Sequence, residues 1–211
     1  QVANYTLAFD GATDALEITK LGLTGGFDLP SGAELTYSGI AITAEYLASN
    51  LVNSDVLSFT YEYFIKGEGG SFTSLGVGVE PVGVGEYKVK ATLKEEGTAW
   101  SNYDFTGGAE SGTYIIVPKV LNPDWDENSL THTYGDADRN ASVSFDGQYG
   151  VGDNYNKLGI EWLYTGEGYS GADAPVNAGS YTVSITLGNE NYCFGGEAGD
   201  YDYTAKNANY V

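Results

Sequence analysis

The chain is 211 residues long and carries 29 acidic against 9 basic side chains, a formal net charge of −20. A field of that sign repels phosphate backbones and anionic lipid surfaces over a Debye length, which argues against nucleic acid and membrane surfaces as partners. Thirty glycines and 18 tyrosines, with no methionine, one histidine and one cysteine, suit pleated strands and tight turns better than helices, and no run approaches the ~18 apolar residues of a bilayer span.

In chain order, "NYTLAFDGATDALEITK" (4–20) reads as a pair of closing strands with no opening before them. "LTYSG" (35–39) follows, and "TAEYLASNLV" (43–52) reads as the one short helix. "SFTYEYFI" (58–65) is rich in aromatic and branched residues and reads as a strand ending in the turn "GEG" (67–69). In "PVGVGEYKVKATL" (81–93), Tyr87, Val89, Ala91 and Leu93 alternate with Lys88, Lys90 and Thr92, the period of a strand with one buried face. Pro81 fixes φ in the lead-in, and Gly85 stands where the chain turns into the strand.

The second half repeats the first. "HTYGD" (132–136) answers "LTYSG", "EWLYTGEG" (161–168) answers "EYFIKGEG" (62–69), and "PVNAGSYTVSITL" (175–187) matches 81–93 at seven of thirteen places. Aligned through "GEG", Trp162 takes the place of Tyr63 and reads as core. Endings beginning "NY" occur three times and close on Lys20, Lys119 and Lys206. The chain therefore divides into residues 1–20 (closing strands of a preceding or neighbouring module), module 21–120, module 121–206, and a stub of following linker at 207–211. The fold class expected is all-β, with two modules in series.

Catalytic constellations are hard to build. The only histidine, His132, has Leu35 at its place in the first module, which leaves a serine triad without a repeated base. One His and one Cys do not make a zinc site, and Cys193, between Tyr192 and Phe194, reads as a small buried thiol. "GVGVEPVGVGE" (76–86) lacks the Lys-Ser/Thr and helix of a phosphate loop. Nothing selects a carboxylate pair for glycoside hydrolysis, so no enzyme is expected.

Two binding features stand out. Asp124, Asp126 and Asn128 alternate, as do Asp136, Asp138 and Asn140, which is how an extended segment offers oxygens to a calcium ion, although the EF-hand glycine and twelfth-position glutamate are missing. Trp100 and Trp125 lie in polar surroundings and read as exposed rings for stacking on glycans. Asn4 and Asn140 fit the N-glycosylation pattern.

"TYGD", then "PVNAGSYTVSITL", then "NY" and a last strand ending in Lys resembles the tandem Ig-like or β-grasp-like modules, called MBG modules, of large bacterial surface proteins and adhesins. "YSG" is similar to their "YDG" variant and "YGD" to their "YGX" variant. The resemblance implies an extracellular, cell-surface structural protein, a stalk, surface layer or filament serving cell adhesion. Its partners would be adjacent modules of a longer chain or copies of itself, with strand addition through residues 1–20 as one form of that joining. The alternative is a carbohydrate-binding module using Trp100 and Trp125.

Overall fold

The computed structural model describes residues 7, 8, 17–29, 34–166, 168–197, 200–202, 204 and 206–211. The chain is all-β, with three short 3₁₀ turns among the described residues. It forms two compact units: the first holds the described residues of Gln1–Ala33, Ala41–Pro81 and Gly85–Ile115, the second Glu34–Ile40, Val82–Val84 and Ile116–Val211.

In the first unit the strands Tyr114–Val117 (which enters the second unit at Ile116), Gly85–Leu93, Phe59–Lys66 and Phe72–Val77 lie side by side in that order, and Ala109–Glu110 also pairs with Gly85–Leu93. The expected alternation is present, since Tyr87, Val89 and Ala91 are buried. Gly25–Asp28 pairs antiparallel with Glu45–Ala48, and Leu21–Gly22 pairs parallel with Tyr103–Asp104. The core joins Ala44, Tyr63 and Val89, with Phe27, Leu29, Tyr61 and Leu75 packed against it.

The second unit repeats this plan. Tyr169–Gly171, Ile160–Gly166, Tyr181–Leu187 and Lys206–Tyr210 form its sheet. Asn122–Trp125 pairs antiparallel with Val143–Asp146, and Lys119–Val120 parallel with Tyr192–Cys193. Val183 and Ile185 are fully buried, each removal from water contributing about 1.5–3 kcal/mol. Each of these clusters also carries a buried tyrosine whose hydroxyl accepts an alanine N–H: Ala44 donates to Tyr63 at 2.8 Å and Ala141 to Tyr164 at 3.0 Å.

Four expectations are corrected. The segment 43–52 contains the strand Glu45–Ala48 rather than a helix, because Ala44 and Tyr46 are buried while Glu45 and Leu47 are exposed, a period of two. Residues 207–211 are not a stub: Lys206–Tyr210 pairs with Tyr181–Ile185 along five residues, and Tyr210 is buried. Tyr63 stands opposite Val89 and Tyr164 opposite Val183, so Tyr164, not Trp162, is the counterpart of Tyr63, and the "GEG" match is out of register by two. Trp125 is not a free ring, since it meets Trp162 edge-on at 5.9 Å and packs on two clusters of the core. Of residues 1–20, Leu7–Ala8 pairs antiparallel with Glu17–Ile18; residues 1–6 and 9–16 of that expected strand segment, with the glycosylation pattern at Asn4, lie outside the described residues.

Candidate functional site

The acidic alternation resolves into turn chemistry. Asp126 caps the 3₁₀ turn Glu127–Leu130 by accepting the Asn128 N–H at 3.0 Å, and it also accepts from the Asn128 side chain at 3.3 Å. Asp138 holds Asn140 in the same way, through its N–H and its side-chain amide, both at 3.2 Å. Asp136 accepts the Thr133 N–H at 2.7 Å, with the His132 ring 3.9 Å away. Spacing of i and i+2 is what an Asx turn uses, because the short side chain reaches the N–H two residues on. Among the described residues no group of three or more His, Cys, Asp or Glu side chains gathers as a metal centre would. Asp124 lies exposed on the strand Asn122–Trp125.

Trp100 opens a short 3₁₀ turn, half-buried, with the Lys20 ammonium 5.7 Å from the ring centre. It lines a shallow depression of about 230 Å³ with Glu95, Asp104 and Thr106. Trp100 and Trp125 belong to different units, and nothing brings them together as one sugar platform within either.

The most organised polar cluster was missed by sequence reasoning. It lies in the second unit, around the turn 150–153. The Asp153 N–H donates to the Gly150 carbonyl at 2.9 Å, closing the turn. The Gly150 N–H donates to the Tyr192 hydroxyl at 2.8 Å, and that hydroxyl donates to Asp153 Oδ2 at 2.8 Å. The same oxygen accepts from Tyr37 at 2.7 Å, whose ring meets Tyr192 edge-on at 5.4 Å. Next to Tyr192, the Asn191 side-chain oxygen accepts the Val84 N–H at 2.9 Å. The segments 34–40 and 82–84, distant in sequence, are thus fastened by one Asn-Tyr pair and one aspartate.

Electrostatics follow from this geometry. Burial first, then the hydrogen bond to Asp153, pushes the Tyr37 phenol up to about 12. Burial likewise raises Tyr192. The hydrogen bond from Tyr37 heads the causes that hold Asp153 below the usual carboxylate range. Both phenols stay protonated and the carboxylate charged across the neutral range, so the contact is a pair of charge-assisted hydrogen bonds. Closeness is enforced by two glycines. A Cβ on Gly39, at φ +75°, would lie 2.5 Å from the backbone of Val151, and one on Gly150 would lie 2.7 Å from Tyr37 Cε1.

The arrangement can grip a strand segment through a tyrosine and a backbone N–H; it holds no nucleophile beside a base. The signal that could have found it is the repeated "NY" (102–103 and 191–192), read above only as a marker of module ends. Comparison with known proteins returns no matching family model, no matching curated protein and no matching solved structure.

Proposed function

We propose that this chain is a run of structural β-modules from an extracellular bacterial-type surface protein, a stalk, surface layer or filament of the adhesin kind. The observation that carries the reading is that the second unit is completed by residues 34–40 and 82–84, drawn from the sequence repeat before it and fastened on Asp153 and Asn191. A unit that takes part of its structure from the preceding repeat suits serial arrays, where each module meets its neighbours along the chain. The net charge of −20 keeps such arrays apart in solution. Antibody raised against the chain should label intact, unpermeabilised cells of its source. Label that enters only after permeabilisation would defeat the proposal.

Carbohydrate binding is the second reading, narrowed now to Trp100, because Trp125 is packed into the core of its unit. Glycan binding lost in Trp100→Ala and kept in the unchanged chain would favour it over a purely structural role.

A further inference from the structure

Both halves of the Tyr37 contact occur a second time in the chain. The gripping half recurs in the first unit. There the Asp55 N–H donates to the Val52 carbonyl at 2.9 Å, the Val52 N–H to the Tyr103 hydroxyl at 3.0 Å, and that hydroxyl to Asp55 Oδ2 at 2.9 Å. This matches the turn 150–153 bond for bond. Asn102 precedes Tyr103 as Asn191 precedes Tyr192.

The gripped half recurs in the sequence of the second repeat, with different backbone bonds. The His132 N–H donates to the Val211 carbonyl at 2.9 Å, two places before Tyr134, whereas in the first repeat the tyrosine itself is bonded, the Tyr37 N–H donating to the Val117 carbonyl at 2.8 Å; Tyr134 lies in the turn closed by the Asp136 N–H on the Thr133 carbonyl at 2.9 Å. Residues 176–178 are the sequence counterparts of 82–84. The surroundings of the tyrosines differ sharply, for Tyr37 is 5 % exposed and Tyr134 75 %; the valines differ less, Val82 being 38 % and Val176 59 % exposed. Tyr134, Val176, Asn177 and Ala178 line a cavity of about 110 Å³ together with His132 and Pro175. Gly39, two places after Tyr37, and Gly135, next to Tyr134, both have positive φ, and beside Gly135 the place of a Cβ is open, with nothing within 4 Å.

The gripping turns differ in backbone and in one side chain: Asn53 and Ser54 both have positive φ, +51° and +59°, whereas in 150–153 only Gly152 does, at +82°. Val52 stands where Gly150 stands, and a side chain at Gly150 would press on the Tyr37 ring. Real Cβ atoms do not approach an aromatic carbon that closely, so the tyrosine would be pushed off its aspartate.

We infer that the Tyr134 face docks another unit of this same repeat, one presenting an aspartate-tyrosine pair behind a glycine, and that Val52 stops a second copy of this chain from serving as that unit. The inference rests on the serial-module reading and adds the partner and its selectivity. Units joined in one chain meet at millimolar effective concentration, so the trans contact calls for concentrated protein.

The test uses the full chain as its own probe, in sedimentation from about 10 µM to 1 mM. The unchanged chain should stay monomeric, and Val52→Gly should associate head to tail, growing with concentration as open heterologous contacts do. Adding Tyr134→Phe to Val52→Gly should weaken that association about tenfold or more, the worth of a hydrogen bond to a carboxylate. Three results would overturn the inference: a Val52→Gly chain that remains monomeric at 1 mM, an unchanged chain that associates equally well, or association indifferent to Tyr134→Phe. Each leaves cell-surface labelling, the test of the module reading, unaffected.

Discussion

Replacing Tyr37 by Phe removes one hydroxyl and leaves the ring, its edge contact with Tyr192 and the backbone unchanged. The lost hydrogen bond runs to an ionised carboxylate at 2.7 Å, and such bonds contribute about 1.5–3 kcal/mol. The Asp153 side chain is 11 % exposed and keeps its bond from Tyr192, so water restores part of the loss and the expected cost at pH 7 is about 2 kcal/mol. The pH dependence is sharper than the magnitude. Because the folded phenol is raised to about 12, its contribution is complete below the unfolded value near 10 and declines as pH rises through the folded value, by about 1.4 kcal/mol per pH unit. Asp153 has the opposite sense: its folded value is lowered, so its contribution is present above about pH 4 and declines as pH falls. The gap between the two proteins should be widest from about pH 5 to 9, below about 1 kcal/mol at pH 11, and smaller again in acid. Urea unfolding in a Trp100→Phe background, where Trp125 and Trp162 report on the second unit, measures it. A gap that is absent at pH 7, or constant from pH 7 to 11, would refute the reasoning.

Tyr164→Phe should cost about 1–3 kcal/mol, because it strands the buried N–H of Ala141; faster amide exchange at Ala141 checks this, and Tyr63→Phe should do the same at Ala44 in the first unit. Asp126→Ala should lose about 1 kcal/mol through the lost cap, equally in calcium and in chelator, and a loss seen only in calcium would restore the ion-binding reading of Asp124, Asp126, Asn128, Asp136 and Asp138. Cys193 is fully buried and its thiol is pushed up by burial, so aromatic disulfide reagents should react only as fast as the unit opens, and rapid reaction with the folded chain would contradict the structure.

The sequence disclosed its sheets best where one face is apolar without exception. Tyr181, Val183 and Ile185 alternate with Thr182 and Ser184, and that run forms a strand with three residues buried. In 43–52 the same period is masked by Leu47, an apolar residue on the solvent side at 51 % exposure, and "AEYLA" then looks helical. The acidic runs misled for a different reason. Alternate carboxylates and amides fit both a cation and an Asx turn, and only the positions of the neighbouring N–H groups decide between them. The Tyr37–Asp153 contact spans 116 positions and has no local signature at all. What announced it was the recurrence of "NY" at 102–103 and 191–192, a pattern with no periodicity to interpret.

The displaced "GEG" turn carries a rule about how such modules can vary. From Tyr63 the strand runs three residues to Lys66 before "GEG", and from Tyr164 one residue to Thr165. A difference of two keeps the faces of the sheet, and the one odd residue in the first unit is taken up on the partner strand, where Tyr63 faces Gly76 and Phe64 faces Ser74 in a register shift. Hairpin tips in this architecture can therefore lengthen freely by even steps, while an odd step requires a bulge to restore parity. Among repeats of this kind, tip length should vary in twos except where a bulge, like the one beside Tyr63, marks the odd residue.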